Sequence, residues 1–192
     1  MPIQAFVYIA SVIILYNNKQ MSKTFLFILI LSAIQLTGYG QTNWSTYTSK
    51  EGHYSVSLPG KPTENVQYDS SSGTILAIHL CMLESGEDGV FISSWTDLSK
   101  TAANEKSVKQ MLEDSRDGTV GAIGGTELKT TALVLTGDPY IEFTFKGANG
   151  AFIAQDRIYF INGIQYSLIS MFSAAAYKKA DSDKFVKSFK HL

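Results

Sequence analysis

Chemistry needs reactive side chains held close together, and this sequence offers few such sets. His79 and Cys81 stand two residues apart in the apolar run 74–83. On a strand that spacing puts both side chains on one face. There an imidazole and a thiol could serve as a nucleophilic pair or as two metal ligands. No third partner accompanies them, and a reactive thiolate needs a polar setting that this run lacks. The ordinary reading is a packed strand face with a hydrogen-bonded histidine. Glu113, Asp114 and Asp117, with Glu87 and Asp88, supply carboxylates for a divalent cation, but without the ligand spacing of a calcium loop. A solvated helix face accounts for them. Gly121-Ala122-Ile123-Gly124-Gly125 lacks the Gly-Lys-Ser/Thr of a phosphate loop and follows a helix instead of opening one. Arg157, beside Asp156 and near Tyr159, suits a planar anion; an ion pair or a snorkelling stem explains it more simply. No serine has the Gly-x-Ser-x-Gly setting. No residue is therefore assigned to catalysis, to a cofactor or to a metal.

The composition agrees with that restraint. The chain has 192 residues, 45% hydrophobic and 17% charged, with 16 Lys and Arg against 17 Asp and Glu. A net charge of −1 gives no electrostatic reason to expect nucleic acid, which a basic excess would signal. One cysteine makes neither an internal disulfide nor a cysteine-based zinc site.

Residues 1–40 read as addressing, separate from the folded part. An uncharged apolar block runs from Ile3 to Tyr16, and a second follows Lys23. From Met21 the second block has the three parts of a secretory signal. Met21-Ser22-Lys23 is the positive leader, 24–34 the apolar stretch, and 35–40 a small-residue tail. Gly38 and Gly40 fit the two small-residue positions before a cut at Gln41. The expectation is a signal peptide at 21–40, cleavage near Gly40, and a secreted or periplasmic chain whose single domain spans 41–192. Met21 is an alternative start to Met1. The other alternative is an uncleaved N-terminal segment serving as a membrane anchor, although each block is shorter than the roughly 20 apolar residues of a spanning helix. Membrane contact is expected through that segment alone.

Beyond the leader the patterns predict strands, a helix, more strands and a last helix. Tyr54, Val56 and Leu58 alternate with serines in a half-buried strand closed by Pro59-Gly60. A weaker strand at 65–68 leads into the turn-rich 69–73. The run 74–83 is apolar on both faces, as in a covered central strand. Gly86-Glu87-Asp88-Gly89 connects it to a strand at 90–96. A helix is predicted over about 102–117, with Val108, Met111, Leu112 and Ser115 at three-four spacing; the glycines from Gly118 onward should stop it. Strands follow at 126–135 and 140–146. The strongest local signal is Asn162-Gly163 between 152–161 and 164–172, a two-residue type I′ turn that pairs Ile161 with Ile164, Tyr159 with Tyr166, and Arg157 with Leu168. Asp181-Ser182-Asp183 is expected to cap a final helix from Lys184, with Phe185 and Phe189 on its docking face. Successive hairpins with apolar residues on both faces imply an α+β fold: an antiparallel sheet flanked by helices in an α-β-α sandwich. A closed β-barrel is the alternative.

Three pieces, in order, carry a resemblance. They are Tyr54-Ser55-Val56-Ser57-Leu58-Pro59-Gly60-Lys61-Pro62, the 140–172 run with Arg157-Ile158-Tyr159-Phe160 before its turn and Gln165-Tyr166-Ser167-Leu168 after it, and the terminal Phe185-Val186-Lys187-Ser188-Phe189. Together they resemble the PsbP-like superfamily, including DcrB-type envelope proteins and the Mog1-type fold, over most of residues 44–192. The resemblance implies the α-β-α sandwich and a non-enzymatic accessory or binding role. The metal-binding residues of photosynthetic members have no matching motif here.

The expected function is an exported binding or accessory protein that meets an envelope protein or a small ligand. Trp44 and Tyr47 are the candidate partner-contact aromatics, and Trp95 reads more naturally as core. Two alternatives are a small thiol-dependent enzyme centred on Cys81 and His79, and a carrier of an apolar ligand, which needs a lined cavity.

Overall fold

The computed structural model describes residues 43–70, 75–86, 89–99, 101 and 106–192. The leader at 1–40 with its cut before Gln41, part of the 69–73 turn, Glu87 and Asp88, and the first expected helical residues from Ala102 lie outside the described residues.

Among the described residues, ten strands and two α-helices follow in the order β1 (Ser45–Ser49), β2 (Tyr54–Leu58), β3 (Thr63–Asp69), β4 (Leu76–Glu84), β5 (Gly89–Asp97), α1 (Val108–Ala122), β6 (Thr126–Val134), β7 (Tyr140–Lys146), β8 (Phe152–Ile161), β9 (Ile164–Ser173), α2 (Lys179–Lys187) and β10 (Lys190–His191). Seven strands form one antiparallel sheet in the order β3-β4-β5-β9-β8-β7-β6, and three form a second in the order β1-β2-β10. The fold is α+β, and the main sheet is open with two edges, not a barrel.

The β8–β9 hairpin is the centre of the main sheet. Asn162 and Gly163 have φ of 51° and 83°, the two positive values a type I′ turn demands. The register pairs Ile161 with Ile164, Tyr159 with Tyr166 and Arg157 with Leu168, as the turn predicts. Both strands are buried nearly throughout, so each face needs a cover. On one face α1 lays Met111, Leu112 and Val120 over Ile141, Phe143, Phe145 and Ile158. On the other, α2 and the small sheet place Phe185, Val186, Tyr54, Val56 and Leu58 over Phe91, Tyr166, Leu168 and Phe172.

Both helices depart from their expected bounds. Helix α1 starts at Val108, where the Ser107 hydroxyl accepts from the Gln110 amide at 3.2 Å. It then runs through Gly118 and Gly121 to Ala122. A helical glycine costs about 1 kcal/mol, and burial of Thr119 and Val120 offsets that. The end falls where Gly124 turns to φ 61° and the Gly125 amide returns to the Val120 carbonyl at 2.8 Å. Helix α2 begins at Lys179, so Asp181 lies in its first turn and Ser182 inside it, buried; the Asp181-Ser182-Asp183 cap is not formed. Phe189 lies beyond the helix, where its ring stacks on Tyr159 at 4.2 Å and on Tyr54 at 5.8 Å. The chain then pairs Lys190 and His191 with β2.

Polar groups pin α2 to the sheet. Arg157 donates to Glu142 through Nε at 2.7 Å and again through a second guanidinium nitrogen. The same guanidinium lies 4.5 Å from the centre of the Tyr140 ring. Gln155 donates to Glu142 at 3.2 Å and to Asp183 of α2 at 3.0 Å. Burial alone would raise the Asp183 carboxyl; hydrogen bonds from Lys179 and Gln155, with the Lys187 charge, outweigh it and hold its pKa down at about 2. Arg157 is thus committed to an ion pair and is not an anion site.

Asp156, the next residue, faces the opposite side. It is 1% exposed; Ser167 donates to its Oδ1 at 3.1 Å, and its Oδ2 has no partner. Burial pushes its pKa up to about 7 despite hydrogen bonds from Ser167 and the Arg157 and Leu168 amides. A raised folded pKa means the native state holds a proton that the unfolded chain releases, so stability falls as pH rises from about 4 to about 7 and then levels. We expect a loss of a few kcal/mol across that window, since each pKa unit is worth about 1.4 kcal/mol. Asp156→Asn should flatten the profile, as read by denaturant unfolding at stepped pH.

Candidate functional site

An open cleft of about 610 Å³ separates the β1–β2 hairpin from strands β3, β4 and β5. Its position follows from the hairpin turn. The Ser49 hydroxyl accepts from the Gly52 amide at 3.1 Å, His53 has φ 51°, and the Tyr166 hydroxyl donates to the Gly52 carbonyl at 3.0 Å. Gly52 has to be glycine: an added Cβ would stand 2.6 Å from the Trp95 ring. The turn therefore rests directly on Trp95, and β1 continues from it as the far wall of the cleft.

The floor comes from the β3–β4–β5 register. His79 opposes Trp95, and their rings stack with centroids 3.8 Å apart and planes within 10°. Cys81 opposes Ser93 on β5 and Glu64 on β3. Ser93 also meets the Tyr54 hydroxyl at 2.9 Å. Tyr47 reaches over from β1 and hydrogen-bonds Glu64 and Ser49. Glu51 closes the mouth, its carboxylate 4.0 Å from His79 Nδ1. Burial raises the Tyr47 and Tyr54 hydroxyls above their usual range, so both remain protonated.

The residues singled out in the sequence separate clearly. His79 and Cys81 share a face of β4 and both line the cleft, but they are engaged differently. The imidazole lies against Trp95, and the thiol sits among Ser93, Tyr47 and Glu64. Cys81 is 1% exposed, and burial pushes its pKa up to about 11, although hydrogen bonds with Ser93 and Tyr47 act the other way. At neutral pH it is a protonated thiol, which is a weak nucleophile. Tyr47 is half-buried in the cleft wall. Trp44 is half-buried too, edge-on to Phe91 with Lys184 Nζ 4.4 Å from its ring centre. Trp95 is only partly buried, and its ring belongs to the cleft. Asp114 is paired with Lys106, Glu113 with Lys109 and Asp117 with Arg116 along α1. Among the described residues no three His, Cys, Asp or Glu side chains are grouped so as to hold a metal ion. Sequence reasoning passed over Glu51, Tyr54 and Glu64 as site residues. Only the strand register and the contact between sheets bring them beside His79 and Cys81.

No family model and no curated protein matches this sequence. A solved structure does: the solution structure of cyanobacterial PsbP (CyanoP) from Synechocystis sp. PCC 6803, with a TM-score of 0.52 at 12% identity, covering 82% of this chain and 98% of that one. The chain has a PsbP-like fold. At that identity the likeness concerns the backbone, and the cleft has to be read from this chain's own side chains. The cleft places aromatic and hydroxyl groups below and the Glu51 and Glu64 carboxylates at its rim.

The single thiol gives a clean readout. We expect Cys81 of the folded protein to react with a thiol-specific disulfide reagent at pH 7 at least about 100-fold more slowly than in denaturant, because the thiolate is scarce and the sulfur is covered. The rate should climb steeply only toward pH 11.

Proposed function

We propose that this chain is an exported, non-enzymatic accessory protein of the cell envelope, which uses the cleft between its two sheets to hold a partner segment or a small ligand. The observation that carries the reading is the cleft: about 610 Å³, open to solvent and lined by Tyr47, Glu51, Glu64, His79 and Trp95. That volume lies within the roughly 300–1,000 Å³ of ligand sites, and a few convergent polar groups on an aromatic floor are the usual means of orienting a ligand. Two carboxylates at the mouth, with Lys50 as the nearby cation, favour a bound group that is positively charged. The protonated state of Cys81 supports a binding role over thiol catalysis, and the polar rim supports it over carriage of a purely apolar molecule. Export rests on the three-part leader ending at Gly40.

A photo-crosslinking side chain placed at Lys50 in the full-length chain, expressed in its own cells, tests the reading. We expect a covalent adduct at Lys50 and none at Lys109 on α1. Glu51→Lys combined with Glu64→Lys should reduce the adduct about tenfold, the equivalent of about 1.4 kcal/mol. The same envelope-extracted material should have an intact mass beginning at Gln41. No adduct at Lys50, or equal adducts at both positions, would reject the cleft as the binding site; a mass that retains residues 1–40 would reject cleavage.

A further inference from the structure

The two edges of the main sheet are built differently. Strand β6 carries two register shifts against β7, between Thr126 and Lys129 and between Thr130 and Ala132, and it exposes Lys129. Bulges and lysines are the devices by which sheet edges avoid pairing with other chains. Strand β3 has neither. Its seven residues run in unbroken register with β4, it contains no lysine and no proline, and Pro62 stands just outside it. Along it Val66 and Tyr68 are 41% and 71% exposed. The Val66 amide is taken by the side chain of its own neighbour, Asn65 Oδ1, at 2.8 Å, where an adjoining strand would offer a carbonyl. An edge this regular, with two exposed apolar side chains and no bulge, is a pairing surface.

The sequence of β3 identifies the occupant. A two-fold axis through Val66, perpendicular to the sheet, places Val66 opposite Val66 of a second copy. Asn65 then faces Gln67, Glu64 faces Tyr68, and Thr63 faces Asp69. Val66 meets an apolar partner, Asn65–Gln67 and Glu64–Tyr68 each join a donor to an acceptor, and no like charges meet, which is the condition for favourable cross-strand pairs. We propose that the protein self-associates through β3, pairing antiparallel about Val66 so that two seven-stranded sheets become one. An interface of this self-complementary kind closes after two copies. A seven-residue edge buries less than the roughly 1,200 Å² of a tight interface, so the dimer forms and dissociates with concentration. The axis keeps the same sheet face outward in both copies, so the two clefts open side by side. This goes beyond the proposed binding role, and Lys50, the position used to probe that role, lies outside the pairing edge.

The test uses the full-length chain with single cysteines on β3, since the native thiol is buried. Val66 faces itself across the axis. In a hydrogen-bonded antiparallel pair the Cα atoms are about 5.5 Å apart, within the roughly 4.4–6.8 Å that a disulfide spans. Under mild oxidation Val66→Cys should give a covalent dimer, while Glu64→Cys, four residues from its own copy in this register, should not. A mixture of Glu64→Cys with Tyr68→Cys should crosslink again. Val66→Lys, which sets two like charges face to face, should weaken association roughly tenfold in sedimentation. A wild-type chain that stays at the mass of one copy up to about 200 µM, or a Glu64→Cys variant that crosslinks as readily as Val66→Cys, would overturn the proposal.

Discussion

Everything else in the molecule depends on the register of the β8–β9 hairpin. Its two ten-residue strands lie at the centre of the main sheet and are buried on both sides. A slip of one residue would exchange every side chain between faces. Arg157 would then point into the apolar core beneath α1, and Phe160 and Ile158 would displace the polar groups that meet α2. The Asn162-Gly163 turn forbids that slip, because both its residues adopt positive φ at little cost. Once the register is set, each neighbouring strand inherits it.

The two faces of this hairpin carry different covers, and that difference creates the cleft. On one side α1, fifteen residues long, spans β7 and β8. On the other the cover is composite: the nine-residue α2 sits over β8 and β9, and the small sheet extends it. That sheet touches the main one through the Tyr54, Tyr166 and Phe189 cluster and through the Gly52 turn on Trp95. Beyond those contacts the β1–β2 hairpin diverges from β3 and β4, and the space between them stays open. The cleft is therefore a consequence of where two short covers end.

The sequence revealed the elements whose signals are local. The β8–β9 turn, the alternation of β2 and β7, and the α+β class all follow from neighbouring residues. Strands β1 and β10 were not foreseen, since Ser-Thr-Tyr-Thr-Ser and Lys-His have no apolar alternation and form only because β2 offers both of its edges. Helix bounds were missed where tertiary burial overrode local preference: at Gly118 and Gly121 in α1, and at Asp181-Ser182-Asp183 in α2. At the site, the shared face of His79 and Cys81 was legible from a spacing of two. Glu64 opposite Cys81 and Glu51 beside His79 depend on pairings that no local pattern announces.

Adjacent residues of β8 show how the charges buried beneath the helices are confined there. Arg157 faces α2, where Glu142 and Tyr159 satisfy it and Gln155 donates to the same Glu142. Asp156 faces α1 with one oxygen unpartnered, and it relieves the cost of burial by holding a proton more tightly. Each charge under a helix is thus paired or neutralised, and none extends to β4 or β5. Beneath the cleft the groups are a thiol, a serine hydroxyl, a phenol and the stacked His79 and Trp95 rings. Fixed negative charge enters only at the mouth, on Glu51 and Glu64. A cation of the kind proposed for this cleft would keep its charged end near water while its carbon skeleton covers the rings, a division of labour that long basic side chains perform well. The same arrangement leaves Cys81 a protonated thiol beneath an acidic rim.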